Sequence, residues 1–313
     1  MPRNPVSRLL PATLSLLAAL APMAQARAES VVDRVARTGE LVLVGIPGDA
    51  PLLSLNAKGE PQGYAVTVAE QIRAELSVAV GRPVKLRFEA VQDPLALGQS
   101  MLTGKADLAC GIPFTWERDA QLDYSLPIAL SGLRLLAPTG RFDGSPAGLS
   151  GHRIGVLADS LAATELQGMQ PAAIAVPFPS LAAALAALSA GKVEGVIGDS
   201  LLLISQARAK GVTGLTLTPE EPYERYSVAC LVPENDSAFR NLVNLAIARL
   251  LQGYLDGQPQ SVAAIDRWVG PGSTVNLPPD RIRTYFQTVL LGVEAIRPLP
   301  SAPAQAGNTR QGT

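Results

Sequence analysis

Apolar and polar positions along this chain switch between two periods. Leu41 to Ile46, "LVLVGI", is an unbroken apolar run of strand length, as expected of a strand buried on both faces. Residues 66–80 then change to helical spacing, with Val66, Ala69, Ile72, Leu76 and Val80 along one face. The pattern predicts a second strand over 84–91, a helix over 94–103 that opens on Pro94, and a third strand over 106–110. The order is βαβαβ. A second unit repeats it, with strands over 153–157, 173–177 and 195–198 and helices over 160–166, 180–189 and 200–210. Between the units, Thr139 to Gly151 is rich in Gly, Pro and Ser and reads as a surface loop. Further on come a strand over 226–232, "YSVACLV", an amphipathic helix over 236–252 and a last helix over 279–296. Residues 297–313 lack apolar periodicity and are expected to be disordered.

This alternation places the chain in the α/β class, with mainly parallel sheets. The strand and helices left after the second unit need a sheet to join, so the chain should leave one lobe, build another and return. The expected division is 29–129 for the first part of lobe 1, 130–225 for lobe 2, and 226–296 for the return to lobe 1 with an extra C-terminal helix. Two crossing strands would form the hinge. Ligands of open α/β sheets bind outside the carboxyl ends of the strands, which puts both facing edges in a cleft between the lobes.

Residues 1–28 change the expected location. Arg3 and Arg8 precede the apolar stretch Leu9 to Ala21, and small-x-small sites follow at Ala24-Gln25-Ala26 and Ala26-Arg27-Ala28. A membrane anchor is the alternative, but the stretch contains Pro11, stops at Pro22 and is short for a span. We therefore expect a cleaved export signal and a soluble protein in the periplasm or outside the cell. With 26 Lys and Arg against 27 Asp and Glu, the net charge of −1 carries no nucleic-acid footprint. The two cysteines, Cys110 and Cys230, lie in apolar strand-like runs, so a disulfide and a pair of buried thiols are both open.

Candidate chemistry lies at the strand ends. In "PFTWERDAQLDYSLP", Arg118 follows the third strand, where a guanidinium can hold a carboxylate through paired hydrogen bonds, and Thr115 can donate from the same side. The plain alternative is a solvated charge, or a pair with Asp119 or Asp123. In the second unit Asp199 ends the strand of "KVEGVIGDS", facing the same cleft from the other lobe. An arginine on one wall and an aspartate on the other suit a zwitterion, although Asp199 is equally placed to cap the following helix. Ser160 opens another helix, where its hydroxyl and the first amides would receive a carboxylate oxygen or simply form a cap. With His152 the only histidine, no histidine pair or histidine metal cluster can form, and no cofactor is expected. His152 itself reads as a solvated loop residue.

In order along the chain, "GELVLVGI", "NAKGEPQGYAVTVAEQI", "LTGKADLACGIPFTWER" running into "LDYSLPI", "LSGHRIGVLADS", "LSAGKVEGVIGDS", "YSVACLV" and "DRWVG" resemble the family 3 extracellular solute-binding proteins. These are receptors of amino-acid ABC importers with the two-lobed periplasmic-binding-protein type II fold. The resemblance spans about 39–270. It implies that Arg118 binds a ligand α-carboxylate and Asp199 its ammonium, that Ser160 contributes a hydroxyl within Asp159-Ser160-Leu161, and that hinges lie near 127–132 and 222–226. It also sets Cys110 and Cys230 in one lobe, as candidates for a disulfide, and makes Trp268 of "DRWVG" a packing anchor.

The departures bear on specificity. Where the family has an aromatic near the first strand, this chain has Ala50-Pro51-Leu52-Leu53. Leu52, Phe114 and Trp116 are then the candidates for an apolar cleft wall. Thr67 stands where an aspartate is usual and Pro113 where a hydroxyl residue is usual, and the loop before Arg118 is one residue short. The leading expectation is a monomeric, non-catalytic receptor for a small zwitterion, with an importer permease as partner. One alternative is an enzyme resembling the periplasmic cyclohexadienyl dehydratases of this fold. Another is an orphan scaffold with an interaction role, because "LPPDRIRTYFQTVLLGVEAI" resembles orphan cyanobacterial solute-binding-like proteins. The apolar face of that helix, with Phe286, Val289 and Leu290, is expected to dock on lobe 1.

Overall fold

The structure, a computed structural model, describes residues 29–48 and 51–291; the expected export signal and tail lie outside the described residues. Its helices are α1 (Val31–Thr38), α2 (Tyr64–Ala79), α3 (Pro94–Leu102), α4 (Trp116–Asp119), α5 (Leu161–Met169), α6 (Leu181–Ser189), α7 (Ser200–Ala209), α8 (Ser237–Leu255), α9 (Pro259–Asp266) and α10 (Pro279–Leu290). The strands are β1 (Glu40–Gly45), β2 (Ser54–Leu55), β3 (Pro61–Gln62), β4 (Lys85–Ala90), β5 (Ala109–Pro113), β6 (Leu122–Tyr124), β7 (Ala129–Pro138), β8 (Arg153–Leu157), β9 (Ile174–Phe178), β10 (Gly195–Asp199), β11 (Leu215–Thr218) and β12 (Glu224–Pro233). Most helices open on a Ser, Thr or Asp whose side chain accepts a first-turn N–H: Ser30, Asp93, Thr115, Ser160, Ser180, Asp199 and Asp236. Three of these caps are candidate site residues.

In lobe 1, β4 and β1 run parallel, and a parallel bridge from Leu43 to Leu108 leads into β5. In lobe 2, β10, β8 and β9 are parallel. The sheets are more mixed than expected, because the chain must return. Strand β12 is antiparallel to β5, β6 and β7, and β7 is antiparallel to β10 and β11. The pairs from Ala129↔Val228 to Leu133↔Glu224 join β7 to β12, and beyond them each strand enters a different lobe. These two long strands form the hinge. The apolar faces divide accordingly, with α2 and α8 covering one side of the lobe 1 sheet and α3 the other. Helices α6 and α7, the latter through Leu203, cover one side of lobe 2 over Leu136 and Val196.

As expected, α10 docks on lobe 1. Ile282 and Phe286 are buried, the rings of Phe286 and Tyr254 meet edge to face at 5.4 Å, and the Tyr285 hydroxyl donates to the Ala129 carbonyl at 2.8 Å. The segment before α10 reaches lobe 2 instead. Arg208 of α7 donates to the carbonyls of Val275 (2.6 Å) and Thr274 (3.2 Å), and the hydroxyls of Ser205 and Thr274 lie 2.6 Å apart. Arg208→Ala is therefore expected to cost about 1 kcal/mol and to lower the melting temperature by about 2–4 °C in a calorimetric scan.

Candidate functional site

Thr115 ends the extended chain after β5, and its Oγ1 accepts the Arg118 N–H at 3.3 Å, which makes it the cap of α4. One guanidinium N–H of Arg118 donates to the Pro113 carbonyl at 3.0 Å, and the Tyr124 hydroxyl donates to the same oxygen at 2.8 Å. Asp123, a considered partner, is bonded to Arg240 at 2.8 Å. Among the described residues no ion pair holds Arg118, which is half-buried and has the Tyr124 hydroxyl beside its fork. The Thr115 hydroxyl, having accepted, retains its own proton to donate.

Across the hinge, Asp199 ends β10 and caps α7: Oδ1 accepts from the N–H groups of Leu201 (2.9 Å) and Leu202 (3.0 Å). Oδ2 accepts from the Tyr226 hydroxyl at 2.7 Å. Burial pushes the Asp199 pKa up, and the hydrogen bonds from Tyr226 and the α7 amides oppose that rise. Both readings of Asp199 thus involve the same group: it is a cap, with carboxylate lone pairs remaining for a cation. The Ser131 and Ser200 hydroxyls lie 3.3 Å apart beside it.

The two charges are anchored to neighbouring residues of β12. Tyr226 holds Asp199, the carbonyl of Ser227 accepts the Phe114 N–H at 2.8 Å, and Val228 pairs with Pro113, the anchor of Arg118. Ser160 sits at the carboxyl end of β8, which runs parallel to β10. Its hydroxyl donates to Leu157 (2.6 Å) and accepts from Ala163 (3.3 Å), so the local cap already uses both functions. Asp159 before it has φ +53°, a left-handed conformation that aspartate tolerates.

The three candidates for an apolar wall differ in their surroundings. Leu52 is 8% exposed and packs against the lobe 1 core, and its carbonyl accepts the Ala65 N–H (3.0 Å) at the start of α2. Phe114 instead joins a cluster, its ring 4.9 Å from both Trp116 and Tyr124, with Trp116 76% exposed. Tyr124, Tyr226 and Ser131 were not singled out from the sequence. The signal for Tyr226 was its position in an apolar strand that enters the hinge.

The structure joins Cys110 to Cys230 in a disulfide with an S–S distance of 2.03 Å. Trp268 acts as an anchor, its indole N–H donating to Thr67 at 2.9 Å. His152 is not simply solvated. Its Nδ1 lies 2.9 Å from Glu194, whose carboxyl Arg141 holds below its usual pKa, and its ring meets Phe142 edge to face.

The profile of the bacterial extracellular solute-binding proteins, family 3, matches residues 42–257, from β1 through α8. The chain belongs to this family. Among solved structures, this family 3 chain is similar in fold to the solute receptor for L-cysteine of Neisseria gonorrhoeae, at 19% identity and a TM-score of 0.65 over 77% of this chain and 94% of that one. A mutant of the arginine-binding protein ArgBP from T. maritima gives 19% and 0.63 over 76% and 98%. The ancestral amino acid-binding protein AncCDT-1, a precursor of cyclohexadienyl dehydratase, gives 18% and 0.64 over 77% and 99%. The virulence sensor protein BvgS of Bordetella bronchiseptica is 30% identical over 180 residues, which are 56% of this chain and 14% of that protein's length.

Proposed function

We propose that the chain is an exported periplasmic receptor whose lobes close on a small zwitterion, an α-amino acid, for delivery to an ABC importer. Arg118 takes the carboxylate, with Thr115 donating beside it, and Asp199 takes the ammonium. The first amides of α5 complete the carboxylate side from lobe 2, and Ser160 joins them when its hydroxyl turns from the Leu157 carbonyl to the ligand. The single observation that carries this reading is the half-buried guanidinium of Arg118, which has no acidic partner among the described residues and stands beside the β12 stretch that holds Asp199. A ligand bonded to both lobes at once favours the closed state by its differential affinity. Amino-acid-binding neighbours of the same fold support the ligand class.

A thermal-shift screen with the common amino acids tests it. A ligand present at about 100 times its Kd stabilises by about 2.7 kcal/mol and raises the melting temperature visibly. No shift with any amino acid would sink the receptor reading and favour the orphan scaffold. Kinship in fold with a dehydratase precursor keeps a second reading, tested by incubation with prephenate or arogenate. We take the chain to be a binder because the only histidine is paired with Glu194 in lobe 2 and Glu117, beside Arg118, is exposed.

A further inference from the structure

Strand β5 does not keep the alternation of a regular strand. Leu108 and Cys110 face the cluster under α2 and α8, while Ala109 faces the cluster under α3 with Val42, Leu97 and Met101. Ile112 should share a face with Cys110, yet it packs on the α3 side. The ladder shows why. Cys110 pairs with Cys230 and Ile112 with Ala229, so Gly111 has no partner of its own and two residues of β5 oppose a single step of β12. Gly111 has φ +83°, a region that glycine enters freely, and a Cβ there would stand 3.4 Å from the Cβ of Ala65 and 3.7 Å from that of Leu52. The disulfide closes the last pair before the bulge and so confines the extra residue to position 111.

We propose that Gly111 and the Cys110–Cys230 disulfide are positioning residues for Arg118: the bulge turns over the strand that follows and thereby aims the carbonyl that holds the guanidinium. After the bulge Pro113 pairs with Val228, the Phe114 N–H reaches Ser227, and the Phe114 ring lands on Tyr124. Tyr124 and Arg118 then converge on the Pro113 carbonyl. A slip of one residue exchanges the faces of every position that follows. It would turn Phe114 away from Tyr124 and the Pro113 carbonyl away from Arg118. Proline is compatible with this role at 113, because the anchor there is a backbone carbonyl and needs neither a side chain nor an N–H. The consequence for ligand affinity rests on the reading of Arg118 as the carboxylate site; the consequence for loop geometry does not.

The test compares the wild type with Gly111→Ala, with deletion of Gly111 and with the double variant Cys110→Ala/Cys230→Ala. Amide hydrogen exchange is followed at Ile112 and Phe114 and, as a reference, at Val42 and Leu43 in β1. Binding is followed by calorimetry with each common amino acid as the probe. The expected result is exchange faster by about 10-fold or more at 112 and 114, with unchanged rates at the reference amides. Affinity for the amino acid that the wild type binds falls by about 10-fold, the size expected when one charge-assisted bond is misaimed. Unchanged exchange at 112 and 114 in all the variants overturns the proposal. Equal acceleration at the reference amides overturns it too, since that marks general destabilisation. If the wild type binds no amino acid, the receptor reading fails, while the exchange rates still decide whether the bulge places the loop.

Discussion

Arg118→Ala is expected to weaken amino-acid binding by roughly 100-fold or more while leaving the melting temperature of the ligand-free protein almost unchanged. A guanidinium that grips a carboxylate through paired, charge-assisted bonds contributes about 3 kcal/mol, and each 1.4 kcal/mol is about a tenfold change in Kd. The small effect on the fold follows from the anchor. The Pro113 carbonyl would still accept the Tyr124 hydroxyl at 2.8 Å, so alanine orphans no acceptor. Arg118→Lys separates charge from geometry. Lysine restores the positive charge but not the planar fork, and it is expected to recover only part of the affinity. Calorimetry on the three proteins with the strongest ligand of the screen reads both effects. Equal Kd values for wild type and Arg118→Ala would put the carboxylate site elsewhere.

The legible part of this molecule is the part written locally. The apolar run of β8 coincides with its prediction at 153–157, and the α2, α6 and α7 predictions agree to within a residue or two at most ends, because period and cap residues lie in the same short window. The third strand of lobe 1 was expected at 106–110 and is found at 109–113. Leu108 bridges to Leu43 in β1, whereas the main ladder belongs to β12, and pairing with a distant strand leaves no local mark. Strand β7 was missed for a related reason: it takes its partners from β10, β11 and β12, all later in the chain. Helix α1 also went unread, although Ser30 caps it and Val31 and Val35 bury one face. At the site, the strand-end charges could be found by type and position. Their holders could not, since nothing around Tyr226 announces that its hydroxyl will meet Asp199.

Asp199 yields the second large effect, and two substitutions separate its roles. Asp199→Ala removes the cap of α7, at about 1 kcal/mol, and leaves the hydroxyl of Tyr226, 6% exposed, without its acceptor, at about 1–3 kcal/mol more. Asp199→Asn retains the cap, because the amide oxygen still accepts from Leu201 and Leu202; the amide nitrogen cannot accept the Tyr226 O–H but can donate to the phenol oxygen, so only the phenol proton loses its partner. Asparagine is thus expected to melt above the alanine variant, because it keeps the cap, yet bind an amino acid about 10-fold to 100-fold more weakly than the wild type, having lost the charge that meets the ammonium. A carboxylic acid lacking the amine should bind both proteins equally. The pH dependence provides an independent check. Burial raises the Asp199 pKa in the free protein, and a bound ammonium favours the ionised form, so binding releases a proton wherever Asp199 starts protonated. Affinity is then constant above that raised pKa and falls as pH drops through it, approaching a tenfold loss per pH unit for a single proton. This component should vanish in Asp199→Asn. If the same acid-side loss persists there, the titrating group is another residue, and Asp199 is a helix cap that never meets the ligand.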